Sequence, residues 1–209
     1  MSDTDGKTSD EEDRGDDGPS VGCVLLAAGR GTRFEGGNKL LADVDGEPMV
    51  RRAARTLLAA DPEEAVVVLG HEADAVREAL AGLDLSERRN EAYAEGQSTS
   101  VATGVAAARE RGWDAAVFAL GDMPFVDPDS IDALVAAYAD GEGTVLAPAY
   151  DGMRGNPVLF DATHFGALAD VTGDRGGRDI IDEQGTLVPV EDPGVRRDVD
   201  RGSDLDRST

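Results

Sequence analysis

Short apolar runs alternate with helical patterns along most of the sequence, and this alternation restricts the fold more than any other feature. Four runs are almost continuously apolar, as strands are when helices cover both faces of their sheet; they are Val21–Ala28, Ala65–Gly70, Ala115–Leu120 and Thr144–Ala149. Between them apolar residues recur every three or four positions, which predicts helices over Pro48–Ala60, Ala73–Leu83, Ser98–Arg111 and Ser130–Ala139. The alternation predicts an α/β fold with a single doubly wound, mainly parallel sheet and helices on both faces.

The remaining segments give weaker signals. They predict a strand through Asn90–Ala94, a helix near Arg178–Asp182, and short elements at Pro157–Phe160, Leu187–Val190 and Val195–Val199. Pro48 is expected in the first turn of its helix, and Pro128 just before a helix that starts near Asp129. Residues 1–20 carry eight acids and two bases, which predicts a disordered tail, so that residues 21–209 form one domain.

The net charge, the few cysteines and histidines, and the short apolar runs each argue against particular classes of protein. It has 43 acidic and 20 basic residues, a formal net charge of −23 at pH 7, whereas nucleic-acid and anionic-membrane partners attract basic surfaces. One cysteine and two histidines cannot form an internal disulfide or a structural zinc site. No apolar run is long enough for a bilayer and the acidic N-terminus is unlike a signal peptide, so a cytoplasmic protein is expected.

A glycine-rich loop follows the first predicted strand and ends in a lysine. A dinucleotide-binding turn needs a glycine where Phe34 stands, and a Walker loop needs Ser or Thr where Leu40 follows Lys39. What remains is a stretch of small residues with two cations, Arg33 and Lys39, which suits a polyphosphate. Lys39 is the sole lysine of the predicted domain, where arginine fills the other basic positions; an exposed loop lysine without function is the alternative.

The segment Leu26–Leu41 resembles the signature Leu-Ala-Ala-Gly-x-Gly-x-Arg, with a lysine shortly after, of nucleotidyltransferases. This superfamily includes sugar-phosphate nucleotidyltransferases and enzymes that add a nucleotide to molybdopterin. The resemblance implies a Rossmann-like nucleotidyltransferase fold whose loop wraps a nucleoside triphosphate, with Arg33 and Lys39 on the phosphates. The matching positions are Ala27, Ala28, Gly29, Gly31, Arg33 and Lys39.

Carboxylates follow the third apolar run and recur near the C-terminus. Asp122 comes directly after Leu120-Gly121, where it could hold Mg²⁺ against phosphates or simply form a turn. Gly-Asp-Met-Pro at 121–124 resembles the magnesium motif of the same superfamily. Residues 198–205 resemble its Asp-x-Asp-Thr-Pro-x-Asp-Leu ending, with Arg201-Gly202 in place of Thr-Pro. This resemblance implies that Asp198 or Asp200 supplies a second metal ligand; the alternative is that both are surface acids.

Three further segments resemble molybdenum cofactor cytidylyltransferases. In Gly96–Gly104, Ser98 and Ser100 either cap the helix or contact the base or ribose. The strand beginning Gly155-Asn156-Pro157 and the segment Gly173–Ile181 imply an acceptor site. Its candidate residues are Asn156, Arg175 and Arg178; helix capping by Asp174 beside an exposed arginine is the alternative.

The resemblance implies an Mg²⁺-dependent enzyme that transfers CMP from CTP to the phosphate of molybdopterin and releases pyrophosphate. Arg33, Lys39 and Asp122 are the expected catalytic residues, and a recipient molybdoenzyme or its chaperone is a further expected partner. The same chemistry with GTP, or with another phosphorylated acceptor, remains open. So does a non-catalytic module that binds the nucleotide or the cofactor.

The acidic composition also predicts a halophilic protein. At about 1 M salt the Debye length is about 3 Å, so self-repulsion is largely screened, whereas in dilute buffer it opposes the compact state. We expect the denaturation midpoint to rise as KCl increases from millimolar to molar concentrations, as followed by circular dichroism. Full stability in dilute buffer would contradict this prediction.

Overall fold

The computed structural model describes residues 18–31, 37–60, 62–173 and 177–200. The strands in this part of the chain are β1 Val21–Ala27, β2 Asp43–Val44, β3 Glu47–Pro48, β4 Ala65–Leu69, β5 Ser86–Arg89, β6 Ala115–Leu120, β7 Val145–Tyr150, β8 Met153–Arg154, β9 Val158–Asp161 and β10 Thr186–Pro189. The α-helices are α1 Met49–Ala59, α2 Ala73–Ala79, α3 Gln97–Arg111, α4 Pro128–Ala139, α5 Phe165–Asp170 and α6 Arg178–Gln184. Short 3₁₀ helices lie at Lys39–Leu41, Tyr93–Glu95, Ala162–His164 and Pro193–Arg196.

The main sheet is mostly parallel and has the order β10-β7-β9-β6-β1-β4-β5, with β8 paired to β7. Strands β5, β4, β1 and β6 run parallel, whereas β9 lies antiparallel between β6 and β7. Strands β2 and β3 form a separate two-stranded hairpin. Because β1 and β6 are parallel neighbours, their carboxyl ends meet at one edge of the sheet.

Helices cover both faces of the sheet. Cys23 and Leu25 of β1 pack on one face in a core that includes residues of α1, α2 and α4. Val24 packs on the opposite face with residues of α3 and α5. Successive side chains of a strand point to opposite faces, and both faces of β1 are buried. The predicted α/β fold with a doubly wound, mainly parallel sheet is confirmed.

Two predicted elements were wrong, and one helix was not predicted. Residues 90–94 do not form a strand: the strand is Ser86–Arg89, at the sheet edge, where exposed polar residues leave no apolar signal. Within Val195–Val199 the first two residues form the end of the 3₁₀ helix Pro193–Arg196, and the other three are irregular. Helix α5 has six residues, too few for a periodic pattern to stand out.

The predicted helix boundaries needed smaller corrections. Helix α2 ends at Ala79 rather than Leu83. Pro48 is the N-cap of α1, and Pro128 is the first residue of α4. Asp127 caps α4, because its side chain accepts a hydrogen bond from the backbone N–H of Asp129.

Within the described residues, no helix is long and apolar enough to cross a membrane.

Candidate active site

A cavity of about 500 Å³ opens at the carboxyl ends of β1 and β6. Its walls come from the loop after β1, the 3₁₀ helix at Lys39, the start of α3, the end of β6 and the C-terminal part of the described chain. Among the residues that the structure describes, those that line the cavity and carry charge are Arg30, Lys39, Asp122 and Asp200. These described residues present two cations and two carboxylates to a ligand.

Lys39 joins the segments around the cavity. Its Nζ donates to Oδ2 of Asp122 at 2.6 Å and to Oδ1 of Asp200 at 3.2 Å. It also approaches the carbonyl oxygen of Val199 at 3.4 Å. Partial burial lowers the pKa of Lys39, but the charges and hydrogen bonds of Asp122 and Asp200 outweigh it, so the pKa lies above its usual value. The ammonium thus stays charged at neutral pH.

The backbone around Lys39 explains why the side chain reaches the carboxylates. Asn38 caps the 3₁₀ helix, since its Oδ1 accepts a hydrogen bond from the backbone N–H of Leu40 at 3.1 Å. Gly31 has a φ of +54°, and a β-carbon there would lie 2.8 Å from Cγ of Lys39. Glycine at position 31 therefore permits both the left-handed backbone and the close passage of the lysine stem.

Asp122 offers an oxygen that no described group satisfies. Its Oδ2 contacts Lys39, whereas its Oδ1 is buried and has no hydrogen-bond partner among the described residues. A buried carboxylate oxygen without a partner is costly, and a cation is one group that would satisfy it. Gly121 lets this segment lie against β1, because a β-carbon there would be 3.2 Å from the carbonyl oxygen of Leu26.

The C-terminal segment brings Asp200, rather than Asp198, to the cavity. Val199 is fully buried in a small cluster with Val44 and Met49, and its N–H donates to the carbonyl oxygen of Asp122 at 3.0 Å. Asp200 reaches Lys39, whereas Asp198 is exposed and does not line the cavity. The sequence left open whether Asp198 or Asp200 belongs to the site, and the structure brings Asp200 to the cavity that Asp122 also lines.

The carboxylates fit a hard divalent cation bound together with phosphates. Among the described residues, no group of three or more His, Cys, Asp and Glu side chains could hold a metal ion. Magnesium commonly uses one or two protein carboxylates and completes its shell with phosphate oxygens and water. Asp122, with its unsatisfied oxygen, and Asp200 match that requirement.

Only some of the other residues predicted to bind the nucleotide line the cavity. Ala28, Gly29 and Gly31 line the cavity with Lys39, whereas Ala27 is buried at the end of β1. Ser100 lines the cavity, but Ser98 is buried and does not. Arg33 lies outside the described residues.

Asn90 holds the wall that contains Ser100, and sequence analysis missed it. Its Nδ2 donates to Oγ1 of Thr99 at 2.9 Å and to Oγ of Ser100 at 3.0 Å. Its Oδ1 accepts a hydrogen bond from the N–H of Ala92 at 2.9 Å. Asn90 is only 4% exposed, and a polar amide at the end of a strand would have been the sequence signal.

A second cavity of about 300 Å³ adjoins the first and shares Leu26, Gln97 and Leu120 with it. Asn156 and Arg178 line it, as the acceptor-site prediction requires, whereas Arg175 lies outside the described residues. Sequence analysis missed Arg154, which also lines this cavity and forms an ion pair with Asp182. The charged lining residues described are thus two arginines, and aromatic and aliphatic side chains form much of the remaining wall.

Comparisons with known proteins agree with this architecture. Residues 23–188 match the family model described as MobA-like NTP transferase domain. Nicotine blue oxidoreductase of Paenarthrobacter nicotinovorans is 32% identical over 199 residues, which cover 90% of this chain and 93% of that protein. Bifunctional protein GlmU of a Ruegeria species is 36% identical over 133 residues, which cover 61% of this chain but only 28% of that longer protein.

Two solved structures extend the comparison to three dimensions. A nucleotidyl transferase from Methanothermobacter thermautotrophicus has a TM-score of 0.77 and 27% identity, covering 90% of this chain and 95% of the other. The manganese complex of Rv0371c from Mycobacterium tuberculosis has a TM-score of 0.71 and 25% identity, covering 90% and 97%. Both likenesses span nearly the whole of each chain.

Gly194 provides a test of how the C-terminal segment is held. A β-carbon at this position would overlap the carbonyl group of Phe125, so Gly194→Ala must push the segment outward. We expect a loss of about 1–3 kcal/mol in the free energy of unfolding. We also expect Asp200 to separate from Lys39 in a crystal structure of the variant.

Gly166→Ala is the matched control, because among the described residues its β-carbon would meet only Nη2 of Arg109, at an ordinary 3.7 Å. This control should keep or slightly raise the wild-type denaturation midpoint, since Gly166 lies in helix α5, where alanine is favoured over glycine. Equal stability of the two variants, with Asp200 still against Lys39, would show that Gly194 does not fix the segment.

Proposed function

The chain belongs to the MobA-like NTP transferase family of nucleotidyltransferases, and from this premise we propose that it transfers CMP from CTP to the phosphate of molybdopterin. Pyrophosphate is the second product. The observation that carries the proposal is the ammonium of Lys39, 2.6 Å from Asp122 and 3.2 Å from Asp200, beside a glycine-rich loop in a 500 Å³ cavity.

The proposed reaction needs positioning and charge neutralisation more than proton transfer. An oxygen of the acceptor phosphate attacks the α-phosphorus of the triphosphate. The bond from that phosphorus to the oxygen bridging to the β-phosphate breaks, and pyrophosphate leaves with the electron pair. Because a phosphate is already ionised at neutral pH, no general base is required.

The protein's own groups supply the neutralisation. The pKa of Lys39 lies above its usual value, so the ammonium remains charged while pyrophosphate develops beside it. Residues Gly29 to Gly31 line the cavity, and we propose that their backbone N–H groups donate to phosphate oxygens. We propose that Arg33, two positions after Gly31 in the sequence, shares this role.

A divalent cation completes the proposed site. Asp122 and Asp200 would hold Mg²⁺, which supplies further neutralisation of the phosphate charge when bound. The manganese complex of a relative with 25% identity supports a divalent cation in this fold.

The second cavity is the proposed acceptor site. Its two arginines, Arg154 and Arg178, suit a phosphate, and its aromatic wall suits a flat ring system. Asn156 lines the same cavity, and Arg175 belongs to the same proposal from the sequence resemblance. Because the two cavities adjoin, an acceptor phosphate here would lie close to a triphosphate in the first. A recipient molybdoenzyme or its chaperone is the proposed destination of the product.

Other functions remain in competition with this one. GTP could replace CTP, with Ser100 and its neighbours contacting either base. One relative is named as an oxidoreductase, so redox chemistry is a second candidate for this chain. A module that binds nucleotide without catalysis is a third. Pyrophosphate release distinguishes nucleotidyl transfer, with CTP or GTP, from redox chemistry and from binding without catalysis.

A pyrophosphate-release assay tests the transfer itself. We expect release from CTP, or from GTP, only when molybdopterin and Mg²⁺ are present in concentrated KCl. Lys39→Ala should lower turnover by about 10- to 150-fold, because it removes a charged hydrogen bond worth about 1.5–3 kcal/mol. Arg55→Ala, which removes an exposed cation outside both cavities, is the control and should act like wild type.

Two outcomes would count against this mechanism. Nucleotide binding without pyrophosphate release would favour the binding module, and wild-type turnover in Lys39→Ala would remove that residue from the reaction.

Metal binding can be measured without the reaction. Titration with Mn²⁺, followed by its paramagnetic resonance signal in the presence of pyrophosphate, should show affinity reduced about tenfold or more in Asp122→Asn and Asp200→Asn. Asp198→Asn is the matched control, because Asp198 is exposed and outside the cavity. An Asp198→Asn variant weaker than Asp200→Asn would reverse the assignment.

A further inference from the structure

Arg30 stands on the cavity wall between two glycines and contacts an aromatic ring. Its Cζ lies 5.7 Å from the centroid of the Tyr93 ring, within the range of a cation–π contact. Both residues line the 500 Å³ cavity that also holds Lys39 and Asp122. The Arg30 side chain thus spans from the phosphate-loop wall towards the wall that precedes α3.

Tyr93 is a fixed support. It begins the 3₁₀ helix Tyr93–Glu95, and Asn90 secures the preceding turn through its bond to the N–H of Ala92. Gly70 allows Tyr93 to come close, because a β-carbon at position 70 would lie 2.7 Å from Cβ of Tyr93. The His71 ring lies 6.0 Å from the Tyr93 ring, at an angle of 46°. The Arg30 guanidinium therefore lies near a ring whose own position is set by these contacts.

The donors of Arg30 remain available. A cation–π contact does not use up the hydrogen-bond donors of a guanidinium, which has five N–H groups in its plane. In the described part of the chain, no hydrogen bond or ion pair of Arg30 is present, although the protein has 43 acidic residues. The cavity therefore contains an arginine edge that no carboxylate of the described chain occupies.

We propose that Arg30, backed by Tyr93, contacts the nucleobase and donates two hydrogen bonds to a base edge with two neighbouring acceptors. Cytosine offers such a pair in O2 and N3, and guanine offers O6 and N7. Adenine places an amino donor beside N7 or N1, and uracil places its N3–H between its two carbonyls. Arg30 therefore separates CTP and GTP from ATP and UTP. This inference rests on the proposed binding of a nucleoside triphosphate.

The test compares ligands with and without a base. Isothermal titration in concentrated KCl measures the affinities of CTP, GTP, ATP, UTP and inorganic tripolyphosphate for wild type, Arg30→Ala and Arg30→Lys. Tripolyphosphate reports contacts with phosphate alone. Arg30→Lys keeps a cation but loses the planar pair of donors, and Arg55→Ala controls for loss of an exposed guanidinium elsewhere.

We expect both Arg30 variants to lose roughly 5- to 100-fold in affinity for CTP or GTP, the range that a bidentate arginine–base contact gives. Their affinities for ATP, UTP and tripolyphosphate should change much less, so that discrimination among bases collapses. Tyr93→Phe should keep the preference because it keeps the ring, whereas Tyr93→Leu should weaken it.

Two results would overturn the inference. Equal weakening of all five ligands in Arg30→Ala would make Arg30 a phosphate contact, and unchanged affinities would remove it from the site. Failure of the proposed function looks different. If wild type binds CTP or GTP but releases no pyrophosphate, the transfer proposal fails and the base contact stands; if no triphosphate binds, both fail.

Discussion

The contact between the Lys39 ammonium and the Asp122 carboxylate is the interaction on which the proposed site depends. It joins two residues 83 positions apart, and through Asp200 it reaches a third segment 161 positions from Lys39. One compact cation can do this because an ammonium carries three donors that need no common plane. Removing it would leave two carboxylates facing one cavity, one of them with an unsatisfied buried oxygen.

Close backbone approach is the second requirement of the site. The lysine stem passes a glycine with positive φ at 31, a glycine directly after β6 lies against β1, and the C-terminal segment passes Phe125 at Gly194. Each glycine stands where a side chain would meet backbone or the lysine stem. The small residues of the loop and turns therefore act sterically, by letting three segments converge at the sheet edge.

Sequence patterns predicted the part of the fold that is buried on both sides. Strands β1, β4 and β6 are continuous apolar runs, and their parallel order predicts that loops after β1 and β6 meet, as Lys39 and Asp122 do. Edge strand β5 was not predicted at its true position, because its residues are polar and half of them are exposed. The choice of Asp200 over Asp198 depends on the burial of Val199, which no local pattern reveals. Arg30 and Tyr93 meet only through the fold, since 62 residues separate them.

The proposed substrates are anionic, and the two cavities offer a way for a protein of charge −23 to accept them. The charged lining residues described sum to zero in the first cavity and to two positive charges in the second, where Asp182 pairs with Arg154; most of the acidic excess therefore lies outside the two cavities. At molar salt the Debye length is about 3 Å, which screens those distant acids but leaves contacts of hydrogen-bond length largely intact. High salt would then favour both folding and the approach of an anionic substrate, because the same acidic charge opposes both. An acidic surface and a phosphate-binding cleft are therefore compatible as long as the cations, like Lys39, lie within direct contact of the ligand.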